Sequence, residues 1–293
     1  MKVLVTGANG QVGRELQRAA WPEGTILQPF ASDQLDITDE AAVMEVVAAT
    51  TPDVIVNAAA YTAVDTAEDE PDRAHLVNAT AVGHLAAAAD TSGAALIHLS
   101  TDYVFDGSKS GWYDETDPTC PIGAYGRSKA AGERAARSAQ RAVVLRTAWV
   151  YGALGNNFVT TMLRLARERD ELGVVDDQFG CPTATADIAA AVITLAIAFD
   201  SPTPPQHDLY HACSPDDASW HEFAMAVFEA SRAGFDGVCK KLTTPEYPTK
   251  AVRPANSRLR SQRLADEFGL TLPSWRTSLP LVVSELEEST TAR

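Results

Sequence analysis

Tyr125 and Lys129, in the run Tyr125-Gly-Arg-Ser-Lys129, are the residues whose types and spacing best suit the movement of a proton. Positions i and i+4 share one helix face, so a phenol and an ammonium placed this way are neighbours. A free tyrosine, with a pKa of about 10, is a poor acid–base group near neutrality, and an adjacent cation favours the phenolate and lowers that value. Lys129 is therefore expected to tune Tyr125. Upstream, Ser100-Thr101-Asp102 ends a strand-like apolar run, where a hydroxyl can hydrogen-bond a carbonyl oxygen held by Tyr125. A Tyr-x-x-x-Lys spacing also arises by chance in ordinary helices, so its weight depends on the elements around it.

Those elements begin at the N-terminus. Val3 to Val5 is a short apolar run that empties into Gly7, Gly10 and Gly13 and then into the helical-looking Arg14-Glu15-Leu16-Gln17. This is the pattern of a phosphate-binding turn between a strand and a helix. Gly7 permits the tight turn, Gly10 lets backbone N–H groups approach a pyrophosphate, and Gly13 lets the helix pack close to its strand. The helix N-terminus then favours the negative charge.

Alternation continues through the first half. Strands are expected at Val3 to Thr6, Thr25 to Phe30, Asp53 to Asn57, Ala95 to Ser100 and Ala142 to Arg146. Helices are expected at Gln11 to Ala20, Asp39 to Ala49 with Thr38 before it as an acceptor, Ala74 to Asp90, and Tyr125 to Ala139. The pattern predicts an α/β fold, a doubly wound parallel sheet of the Rossmann type covered on both faces. After Val150 it gives way to loops and single helices, broken by Pro202, Pro204 and Pro205 and again by Pro245, Pro248 and Pro254. Residues 1–150, with 185–214 returning to them, are expected to form the dinucleotide-binding domain. Residues 151–184 and 215–293 are expected to form a smaller α/β lobe that walls a substrate pocket.

Composition narrows the partners. A net charge of -15 over 293 residues argues against nucleic acid, which needs clustered Lys and Arg. The longest apolar run, Ile188 to Phe199, is too short to span a bilayer and reads as a buried helix, and the N-terminal run is too short for a secretory signal. Cys120, Cys181, Cys213 and Cys239 are scattered without metal-ligand spacing, and reduced thiols in the cytoplasm are expected. His207 and His211 flank a strand-like stretch where their spacing is not a helical ligand pair, and no metal site is assigned. Only the polar tail Glu287 to Arg293 is read as lacking a reason to order.

Taken together, the glycine turn, Asn57-Ala-Ala-Ala60, Ser100-Thr101 and Tyr125-x-x-x-Lys129 resemble the extended short-chain dehydrogenase/reductase family. Asn57 to Asp65, Ser100 to Gly107, Arg146 to Gly152, Gly155 to Phe158, Asp177 to Thr183 and Arg253 to Ser257 are similar to the branch that reduces the C4 keto group of a dTDP-linked 4-keto sugar on the way to rhamnose. The resemblance spans nearly the whole chain. It implies that Tyr125 donates the proton, Lys129 tunes it and Thr101, where many relatives have serine, polarises the carbonyl. It further implies cofactor contacts from Gly7, Gly10, Gln11, Val12, Gly13, Asp36, Ile37, Ala58, Ala59, Ala60, Tyr125 and Lys129, with Asp36 and Ile37 against adenine. Thr62, Val64, Tyr103 and Trp149 would line the sugar pocket and Arg253 would meet the substrate pyrophosphate. Trp149 as plain core and Arg253 as a surface ion pair stay open, as does Asn78 between a water relay and helix packing.

The resemblance implies NADP(H) as cofactor, with NAD(H) also accepted. The chain itself is mixed, since Asp33 ends the second strand region while the nearest base is Arg14. It implies a dTDP-sugar substrate, no nucleic acid or membrane partner, and a homodimer for which Glu15 and Glu285 are candidate cation-linking acids. Two other readings compete: a nucleotide-sugar epimerase or dehydratase that keeps NAD bound, and a non-catalytic NADP-binding regulatory subunit. A dehydratase would be expected to carry an Asp-Glu pair after Thr101, where this chain has Asp102-Tyr103.

Overall fold

Short apolar runs between amphipathic segments become the strands of one parallel sheet. In the computed structural model, whose described residues are 1–291, these are β1 (Lys2–Thr6), β2 (Ile26–Phe30), β3 (Val54–Asn57), β4 (Ala95–Thr101) and β5 (Ala142–Thr147), joined by Leu209–His211. Across the sheet the order is Leu209–His211, β5, β4, β3, β1, β2, and every neighbouring pair is parallel. The fold is the α/β, Rossmann-type arrangement expected from the alternation.

Alternate residues of each strand serve opposite faces. Val3, Val5, Val54, Val56, Ile97, Val143 and Leu145 pack with the helix Thr185–Phe199, while Leu4, Ile55, Leu96 and Val144 pack with the helices Glu40–Thr50 and Ala81–Ser92. Pro29, which has no N–H for a ladder, lies in the edge strand β2. Strand order reverses at β1, which leaves a crevice at the carboxyl ends of β1 and β3, the place where such folds bind ligands.

Several local expectations shift. The first helix stops at Arg18 rather than Ala20, just before Trp21-Pro22. Asp39, not Thr38, caps the next helix, accepting from the Ala42 N–H at 3.1 Å, while the Thr38 hydroxyl donates to Asp36 at 2.7 Å. The helical stretch after β3 begins at Pro71, a residue pre-set for a first turn, and passes through a π-helical segment, Leu76–Thr80, before Ala81–Ser92. The helix bearing Tyr125 runs Ala124–Ala136.

A second core gathers Tyr151, Val159, Leu172, Phe223 and Trp275. Around it stand the helices Phe158–Glu168, Trp220–Ala230 and Trp275–Thr291 and the parallel pair Glu171–Val175 and Val238–Leu242. Leu264 and Leu272, from the stretch expected in this lobe, are buried in the main core instead, beside Tyr210. The polar tail also departs from expectation. The last helix runs to Thr291, and Glu287 is tied to the Ser231 hydroxyl at 2.9 Å and the Arg232 N–H at 3.0 Å. Residues 292–293 lie outside the described residues.

Candidate active site

The glycine turn opens onto a cleft of about 370 Å³ lined by Gly7, Gly10, Asp36, Ile37, Ala58, Ala59 and Ala60, with Ser32, Arg73 and Val77 at its margins. Gly7 adopts φ 70° and crosses so close to β3 that a Cβ would meet the Ala59 nitrogen at 2.5 Å. The walls are main chain and small side chains, which suits a flat base and a pyrophosphate at a helix N-terminus. Asp36 is held as an anion by the Thr38 hydroxyl and backbone N–H, with Arg73 also favouring its charge. Gln11, Val12 and Gly13 do not line this cleft. Gln11 turns to the second lobe, accepting from Asn157 at 3.1 Å, Val12 packs on the main core, and Gly13 fits against the Gly7 carbonyl.

Tyr125, Lys129 and Glu133 succeed one another at four-residue spacing on one buried face of their helix, and each meets the end of the sheet. Lys129 Nζ donates to the Leu99 carbonyl at 2.6 Å, and Glu133 accepts from Ser100 at 2.6 Å and from Arg146 at 2.7 Å through both Nε and Nη2. Thr101 ends β4, with its hydroxyl donated to Asp102 at 2.8 Å. The rings of Tyr103 and Tyr125 meet edge to face at 5.5 Å.

Burial dominates the electrostatics here. It raises the Tyr125 phenol well above its ordinary range, against the pull of the Thr101 hydroxyl and with the Asp102 charge adding to the rise. The expectation that Lys129 brings the phenol down is therefore not met in this structure: the ammonium is turned to Leu99, and burial brings Lys129 itself down to about 8. Burial likewise pushes the Asp102 carboxyl up to about 6.

On the substrate side, Val64 and Tyr103 pack beside Tyr125, while Thr62 is exposed on the preceding loop. Trp149 stacks flat on Trp220 at 3.4 Å between centroids and holds φ 47°, a strained value for a bulky residue. Gly180 lies directly under its ring, where a Cβ would fall 2.2 Å from the indole. Arg253 is paired with Asp65 at 2.6 Å and is mostly covered. Asn78 ties elements together: its amide accepts from the Tyr61 N–H at 2.8 Å and donates to the Tyr61 carbonyl and the Ser128 hydroxyl. Glu15 and Glu285 are bridged within the chain by Arg18.

Four residues of this region were given no role of their own by the sequence. Asp102 is fully enclosed, with Oδ2 lacking a hydrogen-bond partner among the described residues. His98 and Asn57 meet behind Lys129, and Arg73 brings a cation to the cleft. Asp102, an acid at the end of an apolar strand, and Asn57, which heads Asn57-Ala-Ala-Ala60, had a legible signal, and His98 and Arg73 had none.

The chain matches the family model described as the RmlD substrate binding domain over residues 1–288. It is 46% identical over 297 residues to a dTDP-4-dehydrorhamnose reductase from Burkholderia thailandensis, covering 98% of this chain and 99% of that protein. It is 44% identical over 298 residues to a protein of the same name from Escherichia coli K12, covering 99% of each. Among solved structures, the dTDP-4-dehydrorhamnose reductase of Bacillus anthracis in complex with NADP superposes with a TM-score of 0.91 at 38% identity, over 97% of this chain and 99% of that one.

Proposed function

The chain belongs to the dTDP-4-dehydrorhamnose reductase family, and on that premise we infer that it reduces the C4 keto group of dTDP-4-dehydro-L-rhamnose to give dTDP-L-rhamnose, the last step of dTDP-rhamnose biosynthesis. It is an oxidoreductase that uses NADP(H), with NAD(H) as a second donor. The observation that carries the reading is the extent of the likeness, which takes in both the cleft and the second lobe at 46% identity over 98% of the chain. The epimerase and regulatory-subunit readings have no observation of comparable reach.

Gly7, Gly10, Asp36, Ile37 and Ala58 to Ala60 would hold the nucleotide, and their small, main-chain walls fit it. NADPH, when bound, supplies the hydride that the keto carbon receives. Tyr125 gives its proton to the carbonyl oxygen as negative charge builds there, and a phenol that burial keeps protonated suits that duty. Thr101 donates a hydrogen bond to the same oxygen, which requires its hydroxyl to turn from Asp102. Lys129, one turn along the same buried helix face, then relays a proton from water back to Tyr125.

The same reading gives Thr62, Val64, Tyr103 and Trp149 to the sugar pocket. Arg253 meets the substrate pyrophosphate by sharing a guanidinium already held by Asp65. It also includes residues 1–150 with 185–214 as the cofactor domain, a homodimer, and a cytoplasmic location without nucleic-acid or membrane partners. No helix among the described residues is long and apolar enough to cross a membrane.

The test is oxidation of NADPH, and separately of NADH, by the purified protein with dTDP-4-dehydro-L-rhamnose generated in place. Turnover with that sugar is expected, with NADPH preferred. No turnover alongside intact NADPH binding would discard the reading in favour of the regulatory subunit or a different sugar.

A further inference from the structure

Behind Lys129 runs a line of buried hydrogen bonds that proton transfer from Tyr125 does not use. It crosses the sheet through register partners, Thr6 on β1 beside Asn57 on β3, and Asn57 beside His98 on β4. Asn57 and His98 are wholly enclosed. The Ala59 backbone N–H can only donate, and it donates to Asn57 Oδ1 at 3.1 Å, as does the Thr6 hydroxyl at 2.7 Å. That fixes the amide, so Asn57 Nδ2 is the atom facing His98 Nδ1 at 3.0 Å. An amide nitrogen has no lone pair to offer, so Nδ1 must accept and the ring proton must sit on Nε2. A second ring proton would set donor against donor at Asn57, and burial with Lys129 nearby also holds the imidazole neutral.

His98 Nε2 points at Lys129 Nζ, 3.4 Å away. An ammonium there meets another N–H, whereas an amine offers that N–H a lone pair. We propose that His98 is a positioning residue for the active site: locked by Asn57 with its proton on Nε2, it aims an N–H at Lys129 and so sets the pH at which that lysine gives up its charge. The inference rests on the reading of Tyr125 and Lys129 as the proton-transfer pair. The other groups acting on Lys129 are few, and the Leu99 carbonyl, which accepts from Nζ at 2.6 Å, favours the ammonium. Glu133, one turn further along the same helix, favours the ammonium and is itself tied to Arg146, while Tyr125, one turn back, stays protonated. Burial pulls the other way, toward a lysine that exchanges its proton close to neutrality, and the His98 N–H aimed at Nζ acts in the same direction by its geometry.

The first test reads the ring directly, by long-range ¹H–¹⁵N correlation on the unaltered protein without substrate. Neutral His98 protonated on Nε2 between pH 6 and 8 is expected, and a proton on Nδ1, or a charged ring, would overturn the proposal. The second test is the alkaline limb of the kcat/KM profile. His98→Leu, which removes the N–H, is expected to move that limb upward by roughly one pH unit. His98→Gln, whose amide can accept from Asn57 and still present an N–H to Lys129, is expected to leave the limb in place. Equal shifts in the two variants, or no shift in His98→Leu, would overturn the proposal. Failure of the function itself would show separately, as absent turnover in the unaltered protein whatever tautomer the ring holds.

Discussion

Around Gly7 the site is lined by main chain, alanines and an exposed carboxylate, whereas around Lys129 it is lined by charges shut away from water. The cleft draws chiefly on residues close in sequence to the ends of β1, β2 and β3. The corner joins partners far apart, Glu133 to Ser100 and Arg146, and Lys129 to Leu99. On the proposed reading the first region would hold a ligand by shape and by the N–H groups of a helix terminus, which cost little to leave facing solvent. The second holds titratable groups where burial decides their proton affinity, which is what acid–base chemistry requires and what folding must tolerate. One region is thus built for binding and the other for reactivity.

The largest break is expected from Tyr125→Phe, which should cut turnover by about 10²- to 10⁴-fold while NADPH affinity, read by quenching of protein fluorescence, stays within about twofold. A parallel loss of binding would mean that the two regions are not separable. Next is Glu133→Ala, which strands the Arg146 guanidinium among buried groups. A loss of about 3–5 kcal/mol in urea unfolding is expected, since the surviving charge keeps its desolvation cost without its partner. A loss below about 1 kcal/mol would show that water reaches this pair.

Asp102 sharpens the contrast through pH. Its carboxyl titrates at about 6 in the folded chain against 3.8 for the free group, so the folded state holds the extra proton between those values. Stability therefore falls as pH rises through that window, and the penalty is complete above it. Asp102→Asn should raise stability on the order of 2 kcal/mol at pH 7.5, with the gain shrinking toward zero by pH 4. Thermal unfolding of the two proteins across that range checks the sign, and a pH-independent difference would refute it. Lys129 acts in the opposite sense, because its folded value of about 8 lies below the ordinary 10.5, so its penalty is complete below pH 8 and fades above it.

The two regions also differ in how far they could be read from the chain. Gly7 and Gly10 were legible because a turn is a local matter, written in consecutive residues, whereas Ala58 to Ala60 and the Asp36-Ile37 pair were reached only through the family resemblance. Tyr125 and Lys129 were legible as helix neighbours, but the state of the phenol was not. The spacing suggested a cation at its side, and the fold instead turns Lys129 to a carbonyl and surrounds the ring with Thr101, Asp102 and Tyr103. His98 looks like one more residue of an apolar strand until Asn57, from another strand, is set beside it. Arg73 escaped notice for the same reason, since a helix after β3 brings it to a cleft that opens at Gly7.

Gly10 offers the mildest and cleanest separation of binding from folding. Its backbone, at φ -72° and ψ 169°, is one that any residue adopts, and an added Cβ would meet only the Gly7 carbonyl at 3.2 Å. It caps the first helix without a side-chain hydrogen bond, and alanine is a poorer cap than glycine by about 0.5–1 kcal/mol. Gly13 is different, since a Cβ would lie 2.2 Å from the same carbonyl and the turn itself would have to move. Gly10→Ala is therefore expected to lose no more than about 1 kcal/mol of stability and yet bind NADPH about tenfold more weakly, because the new methyl stands where a phosphate must approach the main chain. Unchanged affinity in a stably folded variant would mean that the pyrophosphate is held elsewhere along the turn, and that the cleft binds through its adenine end alone.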